Sequence, residues 1–400
     1  METKHLNELR ENIFKCMGCG ICRGVWERKD EAMCPVWATC LGFEDSTPRG
    51  RVTVAQDILD GVIDYSMPLA ESLYRCTDCA CCATTCDAMD LATGKPIVDV
   101  PKIVVASRMD LVENSLVPPP VRNYLKAVYV NGNPYKLPQE DRGKWAKGTE
   151  IPVFSGQDYL FYVGDVGSYD ERGQKMARSV ATLLIKLGIS LGIMGNNELS
   201  DGNDVRVVGE FGLFQHLAES NISTFKDAGV RKIISLDPHS YNAFKNHYPQ
   251  FGADFEVFHY TQILDDIIRD SKLFKAKGNS IKLTYHDPCY LGRHNGLYEP
   301  PRNILNKIPG LELIEMGRNK KSAFCCGGGG GNFFTDMIGG ENNSPNRIRL
   351  REALDTGAHI LAVACPLCAK MFEDAIKAEN LEGRLLIKDI SEIVQEAIQG

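Results

Sequence analysis

From Gln157 onward, short apolar runs alternate with segments of helical period. Tyr159 to Val163 and Lys232 to Leu236 read as strands, while Gln174 to Leu187 and Tyr260 to Asp270 space their apolar residues as amphipathic helices do. Such alternation predicts parallel sheet in α/β layers. Upstream the pattern changes. Thr47 can cap a helix with Pro48 in its first position, ahead of Val52, Ala55, Ile58 and Leu59, and this helix would separate two cysteine runs. Pro118-Pro119-Pro120, Asn131-Gly132-Asn133-Pro134 and the stretch from Gly143 to Pro152 punctuate what lies between, which reads as a connector.

The α/β region repeats itself. Val163 to Tyr169 parallels Tyr285 to Leu291, and Asp237-Pro238-His239-Ser240 parallels Cys365-Pro366-Leu367-Cys368, each closing a short apolar run. Between these anchors Ser200-Asp201 takes the place that Cys325-Cys326 takes in the second copy. The expected organisation is an α-helical domain over 1–110, a connector over 111–156, and two duplicated α/β halves over 157–278 and 279–400. Only the second half keeps its thiols.

Fifteen cysteines in 400 residues would suggest disulfides in a small secreted scaffold, but these fall in two tight groups, ten before Asp87 and five after Asp287. Such clustering in a sequence long enough to bury its own cores reads as metal ligation. A net charge of -7 without a Lys/Arg run argues against nucleic acid. Met1 to Asn12 lacks the basic start and apolar run of a secretion signal. The most apolar stretch, Ser179 to Gly195, is interrupted by Lys186 and falls short of the ~20 residues that span a bilayer. The expectation is a cytoplasmic protein without a transmembrane segment, able to dock peripherally on the inner face of a membrane.

Cys76, Cys79, Cys82 and Cys86 follow the C-x2-C-x2-C-x3-C spacing by which ferredoxins hold a cubane 4Fe-4S cluster. Cys16, Cys19 and Cys22 repeat the triplet, with a fourth partner at Cys34, before Pro35. In two-cluster ferredoxins the fourth cysteine of each run serves the other cluster. That assigns Cys16, Cys19, Cys22 and Cys86 to one cubane and Cys76, Cys79, Cys82 and Cys34 to the other. Gly18, Gly20 and Gly24 let the first loop wrap closely. Structural zinc is the alternative, since paired CxxC sets also make tetrahedral zinc sites. Cys81 and Cys40 are spare thiols, Cys40 standing in should Cys34 not reach.

Cys289, Cys325, Cys326, Cys365 and Cys368 form the second group. Cys289 and Cys365 follow strand-like runs, where open α/β sheets place their ligands, and five thiols exceed the four that tetrahedral zinc takes. Gly327 and Gly328 open a run of five glycines whose N–H groups can approach sulfur. His286, Asp287 and His294 flank Cys289 and are candidates to supply protons to a reduced thiolate.

Tyr285-His286-Asp287-Pro288-Cys289, Cys325-Cys326-Gly327-Gly328 and Cys365-Pro366-Leu367-Cys368 resemble the CCG cysteine-rich domain of the catalytic heterodisulfide reductase subunits. The order of parts, two 4Fe-4S sites and then a tandem CCG pair, resembles the D-type heterodisulfide reductase polypeptide over nearly the whole length. The resemblance implies a noncubane 4Fe-4S cluster on the five C-terminal cysteines. It implies none in the first half, where Asp165, Ser200, Asp201, Asp237 and Ser240 stand at the motif positions. The expected function is an iron-sulfur electron-transfer subunit of a multi-subunit anaerobic redox complex. Alternatives are a heterodisulfide or thiol-disulfide reductase and the iron-sulfur subunit of a glycolate- or lactate-type dehydrogenase. No flavin, haem or nicotinamide motif is present, so the partner is expected to be a flavoprotein, heterodisulfide reductase A-like or electron-transferring, or a membrane haem subunit.

Overall fold

The computed structural model describes residues 1–24, 32–39, 43–94, 96–269, 273–274, 280–339 and 342–399, so Trp26 and Cys40 lie outside the described residues. Two compact units divide the protein. The first comprises residues 1–126 with 204–211 and 320–349, and the second the remaining three segments.

In the second unit, eight strands among the described residues make two four-stranded sheets. The first sheet contains β1 (Tyr159–Tyr162), β2 (Leu191–Gly192), β3 (Lys232–Ser235) and β4 (Glu256–His259) in the order β2-β1-β3-β4. The second contains β5 (Ile281–Tyr285), β6 (Leu311–Leu313), β7 (Ile360–Val363) and β8 (Leu386–Asp389) in the order β6-β5-β7-β8. All six pairings are parallel, and the second sheet repeats the strand order of the first. The mixed, duplicated α/β architecture is therefore present. Leu160, Phe161, Tyr162, Leu361, Ala362 and Val363 are fully buried, which is the continuous apolar run of strands covered on both faces.

The two halves are sewn together by polar contacts under their helices. Arg172, in the helix Glu171–Lys186, donates to both Glu392 carboxylate oxygens at 2.9 and 2.7 Å. The Tyr260 hydroxyl donates to Asp389 at 2.7 Å. Of the 111–156 stretch, Pro119–Asn131 is a 13-residue helix, and short turns at Gln139–Asp141 and Lys144–Ala146 follow it.

The first unit is helical. Thr47 caps the helix Pro48–Leu59 as its sequence signals, its hydroxyl accepting the Gly50 N–H at 2.9 Å. A Cβ at Gly50 would stand 1.9 Å from the Glu44 carbonyl oxygen, so this turn tolerates no side chain there. Asp110, in the helix Val100–Glu113, takes the N–H groups of His5 and Leu6 at 2.9 and 3.1 Å and so fastens the amino-terminal segment.

Candidate iron-sulfur sites

The two ferredoxin-type loops share a backbone that their sequences do not share. In the first, Gly18 and Gly20 have φ of 66° and 76°; in the second, the same positions are Asp78 and Ala80, at 52° and 57°. Each loop thus makes two left-handed turns between its first and third cysteines and closes in a short helical turn, Ile21–Arg23 or Cys81–Thr84. Holding a non-glycine residue in that region costs about 1–2 kcal/mol, which a wrapped cysteine triplet demands and an ordinary loop would relax. Gly20→Ala, whose new Cβ would also meet Arg49 at 3.1 Å, is expected to lower the thermal midpoint of the protein. Ala80→Gly is expected to hold or raise it, by calorimetry or circular dichroism under anaerobic conditions.

The fourteen described cysteines carry thiols rather than disulfides. Their surroundings sort them. Burial pushes the Cys22 thiol up to about 12, with further push from Cys16 and Cys86, then Cys34 and Cys19. Burial raises Cys34 to about 11, Arg51 opposing and Cys79 and Cys76 adding to the rise. Cys82 is driven well up by burial and by Cys79, Cys76 and Cys34. Cys86 rises through burial and the neighbouring Cys19 and Cys16. Cys86 thus neighbours Cys16 and Cys19, and Cys34 neighbours Cys76 and Cys79 while also acting on Cys22. Crowded buried thiols resist ionisation on their own; a bound cation relieves both the burial and the repulsion, so the donor sets fit thiolate-ligated metal. A cavity lined by Cys16, Cys19, Cys22, Cys82 and Cys86 lies over the first triplet. Depth differs: Cys19 is exposed and Cys16, Cys22 and Cys86 are half-buried, whereas Cys34, Cys76, Cys79 and Cys82 are buried. Cys81, beside Cys82, is buried as well.

The Cys325-Cys326 loop belongs to the same unit as these triplets. The Gly327 N–H donates to Cys325 Sγ at 3.3 Å, the contact its lack of a side chain allows. A Cβ on Gly330 would lie 2.2 Å from the Cys76 carbonyl oxygen, and one on Gly331 2.5 Å from Val208. The glycine run thus meets the Cys76 loop at Gly330. Arg108, fully buried, ties the two together. Its Nη2 donates to the carbonyls of Leu73, Tyr74 and Cys76 at 2.9, 3.1 and 2.7 Å, and its Nη1 to those of Val207 and Gly330 at 3.0 and 3.4 Å.

In the second unit, Cys289 follows β5 and Cys365 follows β7, both at carboxyl ends of adjacent parallel strands. Cys365 is the N-cap of the helix Pro366–Ala378 and Cys368 lies in its first turn, so both stand at the positive end of that helix. His286 lies within 4.8 Å of Cys368. Asp287 is engaged by Arg302 through two bonds, at 2.7 and 2.9 Å, and Arg302 also holds Glu315. The Tyr290 and His294 rings stack at 4.3 Å.

The corresponding place in the first half is filled by a polar network. Arg142, fully buried, binds Asp165 at 2.7 Å and Glu198 at 3.0 Å; Ser200 donates to Asp165 at 2.7 Å, and Ser240 to Asp201 at 2.8 Å. The side chains that replace the cysteines are thus satisfied by one another and by Arg142. Asp237 reaches the other half, accepting from Cys365 Sγ at 3.9 Å. Burial, with the Asp165 and Asp237 carboxylates, raises Asp201 to about 7; burial, opposed by Arg142, raises Glu198 to about 7. Between roughly pH 4 and 7 the folded state holds protons that the unfolded polypeptide has released, so stability is full below that window and falls as pH rises through it. Asp201→Asn is expected to flatten this loss, measured as the thermal midpoint between pH 5 and 8.

Residues 283–373 match the CCG cysteine-rich domain. The chain is 36% identical over 340 residues to the probable iron-sulfur-binding oxidoreductase FadF of Bacillus subtilis, covering 82% of this chain and 47% of that protein. It is 32% identical to the EtfAB:quinone oxidoreductase of Syntrophomonas wolfei, over 84% of this chain and 48% of that one. It is 28% identical to the D subunit of the dihydromethanophenazine:CoB--CoM heterodisulfide reductase of Methanosarcina barkeri, over 100% and 97%. The chain spans about half the length of the first two.

Proposed function

From a chain whose residues 283–373 match the CCG cysteine-rich domain and which resembles a D-type heterodisulfide reductase subunit end to end, we propose an electron-transfer subunit that takes electrons from a flavoprotein and delivers them at the CCG cysteines. In this reading Cys16, Cys19, Cys22 and Cys86 hold one cubane 4Fe-4S cluster and Cys76, Cys79, Cys82 and Cys34 a second. Cys289, Cys325, Cys326, Cys365 and Cys368, with the backbone of Gly327 and Gly328, hold a noncubane cluster. Bound there, iron-sulfur clusters supply one-electron storage and transfer. The observation that supports the reading is the contact of Gly330, in the run after Cys325-Cys326, with the backbone of the buried Cys76.

The half-exposed first triplet is the side from which a soluble donor can approach. One relative's name joins EtfAB to quinone, and an electron-transferring flavoprotein is accordingly the donor proposed here, with a membrane haem subunit as the other partner class. Among the described residues no helix is long and apolar enough to cross a membrane; a cytoplasmic protein, peripheral at the inner face, suits both partners. His286 is proposed to move protons at the CCG thiolates; Asp287, the other candidate, is paired with Arg302. Mixing the oxidised protein anaerobically with reduced electron-transferring flavoprotein should yield EPR signals of reduced clusters at the rate the flavin reoxidises. Flavin that stays reduced would rule this donor out.

Thiol-disulfide reduction is the second reading, favoured by the end-to-end likeness to a heterodisulfide reductase subunit. Against it stands the Arg142 network, which occupies the first half's motif positions. Single-turnover reduction of a heterodisulfide by the dithionite-reduced protein would establish it.

A further inference from the structure

Several arginines are buried deeply in this protein, and most of their charge is met in ordinary ways. Arg142 binds Asp165 and Glu198, Arg172 binds Glu373 and Glu392, and Arg302 binds Asp287 and Glu315. Arg51 differs. It stands in the helix Pro48–Leu59, 2% exposed, and its Nε and Nη2 have no hydrogen-bond partner among the described residues. Burial opposes its charge, and the groups that act most strongly in its favour are Cys76, Cys34 and Cys82. A guanidinium at this depth is strongly unfavourable unless an anion faces it or, as at Arg108, a set of carbonyl oxygens takes up its donors; Arg51 has no such set among the described residues. Neutral thiols are not that anion; thiolates around iron are.

The first triplet has no equivalent among the described residues. The arginines nearest to it, Arg23 and Arg49, are about one-third exposed and spend their charge on Glu44, where solvent screens them. One-electron reduction adds a negative charge to a cluster, and a fixed buried cation favours the reduced form.

Resting on the reading that these cysteines hold an iron-sulfur cluster, we propose that Arg51 is the fixed counter-charge of the cluster on Cys34, Cys76, Cys79 and Cys82, raising its reduction potential and leaving the other cubane's unchanged. Arg51 is thus a residue that sets where the electron rests along the series of clusters.

The test is an EPR-monitored anaerobic redox titration of the wild-type protein beside Arg51→Met and Arg51→Lys. In Arg51→Met one cubane should need a lower ambient potential, its reduced-to-oxidised ratio at fixed potential falling at least tenfold, about 59 mV for one electron. The second cubane should not move, and Arg51→Lys should stay close to wild type. Unchanged midpoints in an iron-replete Arg51→Met protein would overturn the proposal, as would equal shifts in both variants. Should Arg51→Met lose one cluster, Arg51→Gln decides. Iron lost from the two neutral variants and kept in Arg51→Lys supports the need for charge; iron lost from all three overturns it. A wild-type protein without cubane signals would instead sink the cluster assignment itself.

Discussion

Cys79→Ser is expected to remove one cluster whole, lowering iron by about four atoms per polypeptide and abolishing one of two cubane EPR signals. Cys79 is buried, within a loop that turns left-handed on either side of it, at Asp78 and Ala80. A serine oxygen there cannot replace a thiolate on soft iron. The fourth ligands extend the prediction. Cys34→Ser should perturb the same signal as Cys79→Ser, and Cys86→Ser the same signal as Cys16→Ser, because Cys34 stands among Cys76 and Cys79 while Cys86 stands among Cys16 and Cys19. Cys34→Ser altering the signal that Cys16→Ser alters would show instead that each run keeps its own fourth cysteine.

Arg142→Met should destabilise the second unit by about 3–5 kcal/mol, the usual cost of leaving buried carboxylates without their cation. Asp165 and Glu198 would lose their shared partner, and the Leu199 carbonyl one of its two donors. Protonation relieves stranded carboxylates. The deficit against wild type should therefore be larger at pH 8 than at pH 5, since Glu198, already raised to about 7, would move higher still without Arg142. Adding Asp165→Asn and Glu198→Gln to the variant should recover most of the loss, as thermal unfolding of the three proteins would show.

The cysteine runs were legible in the sequence because their spacing is the one cubane binding demands, and the duplicated halves because a strand-turn-helix unit repeats its apolar runs. Strands β1 and β3 and the Pro48–Leu59 helix begin where propensity and capping place them. The buried arginines were not legible. Arg51 and Arg108 sit on helices with ordinary patterns, and Arg142 in a stretch punctuated by Gly and Pro; only folding shows that each is buried and what faces it. Asp78 and Ala80 illustrate the same limit from the other side. Gly18 and Gly20 advertise left-handed turns, but the second loop makes those turns without glycine, and its cysteine spacing was the only signal. The acidic and hydroxyl residues at Asp165, Ser200, Asp201 and Ser240 were visible as substitutions for thiols, yet the guanidinium that lets them be buried was not.

The most direct measurement is the iron, zinc and acid-labile sulfide content of protein purified without oxygen. Thiolate-held clusters at all three sites predict brown protein with about twelve irons and a matching amount of sulfide per polypeptide. Colourless protein with about three zincs and no labile sulfide would contradict it.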